Sequence, residues 1–218
     1  MASKRQQPAV TPTGRPMQQR AIDTRTALLD AAIDCLVEIG YGATTTIETA
    51  RRAGVSRGAQ LHHFPTKTQL LTSAVERLLE RRIEEFRKAF VDVPHGPGRL
   101  ERAVDVLWSM FESSTFVAMA ELWVAARTDP DLASAVVEMD RRFVEECTTV
   151  YAELFSQEDG RNQELDDMAV SFAFALMDGL AFQRLVPKPY QRPAGDYLEA
   201  LKAIAAMFSN PPEGAEHP

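Results

Sequence analysis

Cysteine is almost absent: the 218 residues hold only Cys35 and Cys147. The two are far apart and lack metal-ligand spacing, so neither a disulfide framework nor a zinc site follows from them. They read as small buried hydrophobes in a reducing, cytoplasmic setting. Long apolar runs are missing as well. No stretch approaches the roughly 18 residues that a membrane span needs, and Met1 to Gln19 lacks the apolar segment of a secretory signal. A glycine-rich phosphate loop, a nucleophile elbow and zinc spacing are all lacking, so an enzyme finds little support and no cofactor is expected. His62 and His63 are adjacent and point to different helix faces, and His95 and His217 lie elsewhere, so no metal is expected either.

What the chain does have is 45% hydrophobic residues, enough for a packed core, and an uneven charge. The formal net charge of -7 disfavours a nucleic-acid partner only as an average. Residues 1–70 carry nine Lys/Arg against five Asp/Glu, a balance of +4, and the remainder carries 15 against 26, a balance of -11. Only the first third suits DNA electrostatically.

Apolar periodicity is helical throughout and nothing reads as a strand. Residues 1–19, with Pro8, Pro12, Gly14 and Pro16, are expected to be a disordered basic arm, either a solubilising tail or a DNA-touching one. A first helix carries Ile22, Leu29, Ala32, Ile33, Leu36 and Ile39 and stops at Gly40. Thr45 and Glu48 form a capping box for a short helix from Thr46 to about Ala53. Gly54 stands where the chain needs positive φ, Ser56 caps a third helix, and Pro65 ends it. Thr66 and Gln69 open a long fourth helix with one stripe of Leu71, Val75, Leu78, Leu79, Ile83, Phe86 and Phe90. Its Arg77, Arg81, Arg82 and Arg87 interleave with Glu76, Glu80, Glu84 and Glu85 and read as a solvated, ion-paired face. Pro94 to Gly98 marks a hinge. Five further helices follow, one of them capped by Asp129 with Pro130 in its first turn.

The informative segment is Thr44 to Leu71, TTTIETARRAGVSRGAQLHHFPTKTQLL. Ala50, Gly54 and Val55 have helix-turn-helix spacing, in which a small residue, a turn glycine and an apolar residue lock two short helices at a corner. With the following VSRGAQLHHFPTKTQLL the segment resembles the tetracycline-repressor family of bacterial transcriptional regulators, over about Ile22 to Leu79. The resemblance implies an all-α fold of about nine helices. Its parts are a three-helix head at 20–66 and, joined through the long fourth helix, a ligand-binding and dimerisation body at 67–218. It carries DNA-contact roles to Thr46, Arg57, Gly58, Ala59, His62, His63 and Lys67.

Thr45, Ser56, Gln60 and Leu61 complete the candidate DNA-binding set. Arg57 is the expected guanine reader, since a guanidinium can bond O6 and N7 together. The family usually places an apolar residue followed by tyrosine where this chain has Gln60 and Leu61. Gln60 could read adenine instead, or Leu61 could touch a thymine methyl.

Met168 to Val186 is apolar on nearly every face and must be covered twice, by the chain's own core and by a second subunit. Phe172, Leu176, Leu180, Phe182, Leu201, Ile204 and Phe208 are the expected dimer interface. Trp108, Phe111, Glu112, Met119, Trp123, Phe143, Phe174, Met177 and Asp178 are the expected pocket for an unidentified small effector, apolar or aromatic. Glu112, Glu121 or Asp178, facing inward, would orient a polar or cationic ligand. The implied protein is a cytoplasmic homodimer, a repressor released from a palindromic double-stranded operator by that effector.

Overall fold

The computed structural model describes residues 17–91, 93, 98–155, 163–186 and 192–209. The described residues form helices α1 Met17–Ala43, α2 Thr46–Arg52, α3 Arg57–His63, α4 Lys67–Val91, α5 Arg99–Phe111, α6 Ser114–Ala126, α7 Pro130–Phe155, α8 Gln163–Leu185 and α9 Ala194–Ser209, with no strand among them. The arm read at 1–19 lies outside the described residues up to position 16. Its last three residues, Met17 to Gln19, are helical and open α1.

The expected local signals set the boundaries. Thr45 Oγ1 accepts from Glu48 N–H at 3.1 Å, Ser56 Oγ from Ala59 N–H at 3.3 Å, Thr66 Oγ1 from Gln69 N–H at 3.1 Å and Asp129 Oδ1 from Leu132 N–H at 3.1 Å. Each satisfies one of the orphan donors of a helix start. The Thr45 box forms only by half. The Glu48 carboxylate turns away to Arg51 and Arg52, because charge-assisted bonds to two guanidinium groups outweigh one to a backbone N–H. α1 breaks at Gly40, whose φ of 75° and ψ of 170° end the regular helix where the sequence expects the stop.

The chain divides into two compact units. The first holds the described residues up to Leu78 together with Glu121–Val136; the second holds Leu79–Ala120 and the described residues from Val137 onward. The division thus falls inside α4. In the first unit, α1 packs on α2 and α2 on α3, over a core that includes Leu28, Leu36, Ala50, Phe64, Leu70, Leu71 and Leu122. Cys35 belongs to this core, and burial pushes its thiol up. In the second unit, α5 packs against α8 and α9. Phe143 meets Phe86 and Phe174 edge-on, with centroids 5.8 and 5.9 Å away, and Phe174 lies 5.9 Å from Phe111. Such tilted aromatic contacts add to the stabilisation from burial. Cys147 is buried here, its thiol pushed far up, so both cysteines are inert by burial.

α8 is covered on one side only. Val170, Met177, Leu180 and Ala181 are buried, while Met168, Phe172, Phe182 and Leu185 are exposed. Two residues expected at a dimer interface, Leu180 and Leu201, are instead 4% and 5% exposed, spent on the chain's own core. Leu176 is half-buried, Phe172, Phe182 and Ile204 face outward, and the Phe208 side chain lies outside the described residues.

Candidate nucleic-acid interface and ligand cleft

The corner between α2 and α3 is a backbone device. Gly54 takes φ 64°, the Val55 N–H donates to Ala50 O at 3.0 Å and the Gly54 N–H to Arg51 O at 3.3 Å. This pair of bonds closes a helix end through a left-handed residue, which glycine adopts without a Cβ penalty. α3 then leaves the corner with Ser56, Arg57 and Gly58 exposed. A Cβ added at Gly58 would meet nothing within 4 Å, so the helix backbone there is open to an approaching surface. Arg57 has no ion-pair partner among the described residues. The neighbouring arginines do: Arg51 and Arg52 both hold Glu48, whose carboxyl drops to about 2, and Arg52 also holds Glu38 at 2.5 Å. Among the described residues, Arg57 is thus an exposed cation of the helix-turn-helix without a carboxylate partner.

The other expected contacts divide. Thr45, Leu61 and His62 are exposed, and Thr46, Ala59 and His63 are half-buried. Burial, with His62 and Arg25 nearby, lowers the pKa of the His63 imidazole from its ordinary value. Lys67 does not reach outward first. Its Nζ donates to Tyr41 O at 2.6 Å and stands 4.0 Å over the Tyr41 ring, and burial lowers its pKa. Glu121 accepts from the Tyr41 N–H at 2.6 Å and sits 3.1 Å from where a Gly40 Cβ would be. Lys67 and Glu121 thus clamp both backbone polar groups of Tyr41, in the last turn of α1 just past the Gly40 break. Glu121, one of three carboxylates considered for a ligand, is engaged there.

Gln60 is fully buried, with its Nε2 donating to Phe64 O at 2.5 Å. It presents no surface to a base here, against the expectation that it could read adenine. Its amide caps the C-terminal turn of α3 from inside, a position where α3 must face the core, and its Oε1 has no partner among the described residues.

The second unit contains a cleft lined by Arg82, Glu85, Leu107, Met110, Phe111, Ser113, Thr115, Phe116, Phe143 and Phe174, which leaves only about 10 Å³ for a water centre. That is room for about one water. Of the expected pocket residues, Phe111, Phe143 and Phe174 line it. Trp108, Met119 and Met177 are buried in the packing, Trp123 belongs to the first unit, and exposed Glu112 pairs with Arg184. Asp178 is half-buried; desolvation outweighs the pull of Arg82 and pushes its carboxyl up to about 6.

Arg82, read from sequence as part of a solvated face, is 7% exposed and lines the cleft. The missed signal was phase. Position 82 stands four residues after Leu78, three after Leu79 and four before Phe86, on the apolar stripe itself.

Residues 28–74 match the family model for bacterial regulatory proteins of the tetR family, and residues 98–208 match that for the C-terminal part of BetI-type transcriptional repressors. The second match alone covers half of the chain. The chain belongs to the TetR family. Among curated TetR-like relatives, an uncharacterized HTH-type transcriptional regulator of Mycobacterium tuberculosis is 36% identical over 118 residues, 54% of this chain and 60% of that protein. The HTH-type transcriptional regulator CymR of Pseudomonas putida is 34% identical over 140 residues, 63% of this chain and 69% of CymR. The match thus spans about three-fifths of the length of the first relatives.

Solved structures agree on the fold. A transcriptional regulator from Rhodococcus sp. Rha1 aligns with TM-score 0.63 at 25% identity, covering 84% of this chain and 94% of that one. A Saccharomonospora viridis protein solved in complex with choline aligns with TM-score 0.65 at 17% identity, covering 87% and 97%.

Against the TetR pattern, the two departing positions now have distinct places. Gln60 fills the inward position usually held by an apolar residue, and Leu61, 42% exposed, stands outward.

Proposed function

We propose that the chain is a sequence-specific DNA-binding transcriptional regulator, cytoplasmic, acting as a homodimer on a palindromic operator and released from it by a small organic effector. The observation that carries DNA binding is Arg57. It is exposed, without an ion pair among the described residues, and set beside Gly58 on the open face of α3, in the part of the chain whose charge balance is positive. Ser56 and Thr45 use their oxygens as caps, which leaves each hydroxyl hydrogen for phosphate. Leu61 supplies an apolar contact of the kind that suits a thymine methyl. The apolar outer face of α8, with Phe172 and Phe182, supports the dimer, because two heads related by two-fold symmetry fit two half-sites.

The release step needs an effector that binds the DNA-free form more tightly than the bound form. α4 carries Lys67, which holds the end of α1 at Tyr41, and also Arg82 and Glu85, which line the cleft. It is the element through which the two events are proposed to be linked. Among the described residues no helix is long and apolar enough to cross a membrane.

The test is selection of bound fragments from random duplex DNA, followed by affinity measurement at fixed salt on the selected and on scrambled sequences. A shared palindromic motif bound at least a thousand-fold more tightly than scrambled DNA is expected. Failure to enrich any sequence overturns the reading.

A further inference from the structure

Among the described residues, the cation in the cleft has no oxygen within hydrogen-bonding distance. The Arg82 guanidinium carbon lies 3.6 Å over the Phe143 ring centroid, and one Nη touches the Met119 sulfur. The nearest carboxylate oxygen, Asp140 Oδ1, is 3.9 Å away, beyond hydrogen-bonding distance. A ring face and a thioether are weak acceptors for a group with five N–H donors. The carboxylates of Asp140, Asp178 and Glu85 all act to hold the proton on Arg82, yet desolvation outweighs them and brings its pKa down to about 10. The fold therefore buries a guanidinium without fully replacing the water it lost.

We propose that this cleft binds an organic carboxylate, the Arg82 guanidinium taking the carboxylate group and Phe111, Phe116 and Phe174 holding an apolar body. The assignment rests on the reading of the second unit as a ligand-binding body, and it reverses the sign of ligand suggested by the acidic residues of the sequence. Those carboxylates are placed elsewhere: Glu112 on Arg184, Glu121 on the Tyr41 N–H, and Asp178 outside the cleft lining. Glu85 does line it, but its Oε1 already accepts from Thr115 Oγ1 at 2.9 Å. An organic cation would be drawn to aromatic faces. Here Arg82 already covers the Phe143 face, and a second cation beside it would be repelled. A bare inorganic anion would leave the phenylalanine walls without a partner. The cleft is nearly closed, so a ligand must part it, and half-buried Met110 is the soft side chain best able to yield.

The experiment is calorimetric titration of the full chain, without DNA, with octanoate and naphthalene-2-carboxylate, their uncharged amides, and benzyltrimethylammonium. At least one carboxylate is expected to bind at millimolar concentration or below, roughly ten-fold more tightly than its amide. Arg82→Gln should remove that preference. Glu85→Gln, which keeps the arginine and takes away a repelling charge, should tighten carboxylate binding several-fold.

No carboxylate binding, equal binding of acid and amide, tighter binding of the ammonium compound, or a preference that survives Arg82→Gln overturns the proposal. If Arg82→Gln does not fold, unchanged carboxylate affinity in Glu85→Gln overturns it. Release of selected DNA is measured separately. Carboxylates that bind and leave the DNA bound sink the effector reading alone, whereas DNA release by another ligand while no carboxylate binds sinks this assignment alone.

Discussion

Two arginines summarise the difference between the two units. Arg57 stands on a seven-residue helix with its charge in water, while Arg82 lies in the middle of a 25-residue helix with its charge on a benzene ring. An exposed guanidinium keeps its hydration until a partner arrives, and suits a ligand that brings many charges and must be read quickly and reversibly. A buried one has lost its hydration at folding, and is worth that cost only where the ligand is small and must be chosen by chemistry. On the proposed function, placing a cation outside on one unit and inside on the other would separate reading from sensing.

The largest effect expected from attacking the inner arrangement comes from Phe143→Ala. Phe143 is 2% exposed, packs against Phe86 and Phe174, and is the ring beneath Arg82. Its truncation should cost about 3–5 kcal/mol of unfolding free energy, measured by urea denaturation. A loss below 1 kcal/mol would mean that the cluster collapses freely and holds Arg82 loosely. The matching attack on the outer arrangement is Arg57→Ala. It should leave stability nearly untouched and cost about 1–3 kcal/mol of discrimination between selected and scrambled DNA. Equal losses on both DNAs would reduce Arg57 to a phosphate contact.

The first unit was the more legible because its signals are local. Thr45, Ser56, Gly54 and Pro65 act within a few residues of themselves, and α3 runs from Arg57 to His63 as the caps and the proline require. The second unit depends on contacts between distant helices. Arg82 looked like one more charge among Arg77, Arg81 and Glu80, and only its phase against Leu78 and Phe86 spoke for burial. Glu121 was hard to place for the same reason: sequence order sets it near aromatic residues, but only tertiary structure brings it to the Tyr41 N–H.

Asp178 offers a gentler probe of the inner arrangement. Its folded pKa of about 6 lies above the ordinary carboxylate value, so the folded state favours the protonated form. The charged form therefore costs stability above pH 6, and the cost fades as pH falls from 6 toward 4. Asp178→Asn should then be more stable than the parent at pH 8, by about 1 kcal/mol after screening by the solvent that reaches it. The two melting temperatures should converge at pH 4. A gap that widens on acidification would show that Asp178 is instead stabilised as an anion by Arg82.

The smallest effect, and the sharpest on the boundary between inside and outside, concerns Gln60→Leu. Leucine removes the bond to Phe64 O, a loss of about 1 kcal/mol. It also removes the unpartnered Oε1 and places an apolar side chain where the core meets α3, gains of similar size. Stability should therefore change little. Because Gln60 has no exposed surface, the variant should keep both its operator affinity and its base preference, while Leu61→Ala, one residue further and facing outward, should weaken preference at thymine positions alone. A changed preference in Gln60→Leu would mean that α3 rotates on binding DNA and brings its inner face into the groove.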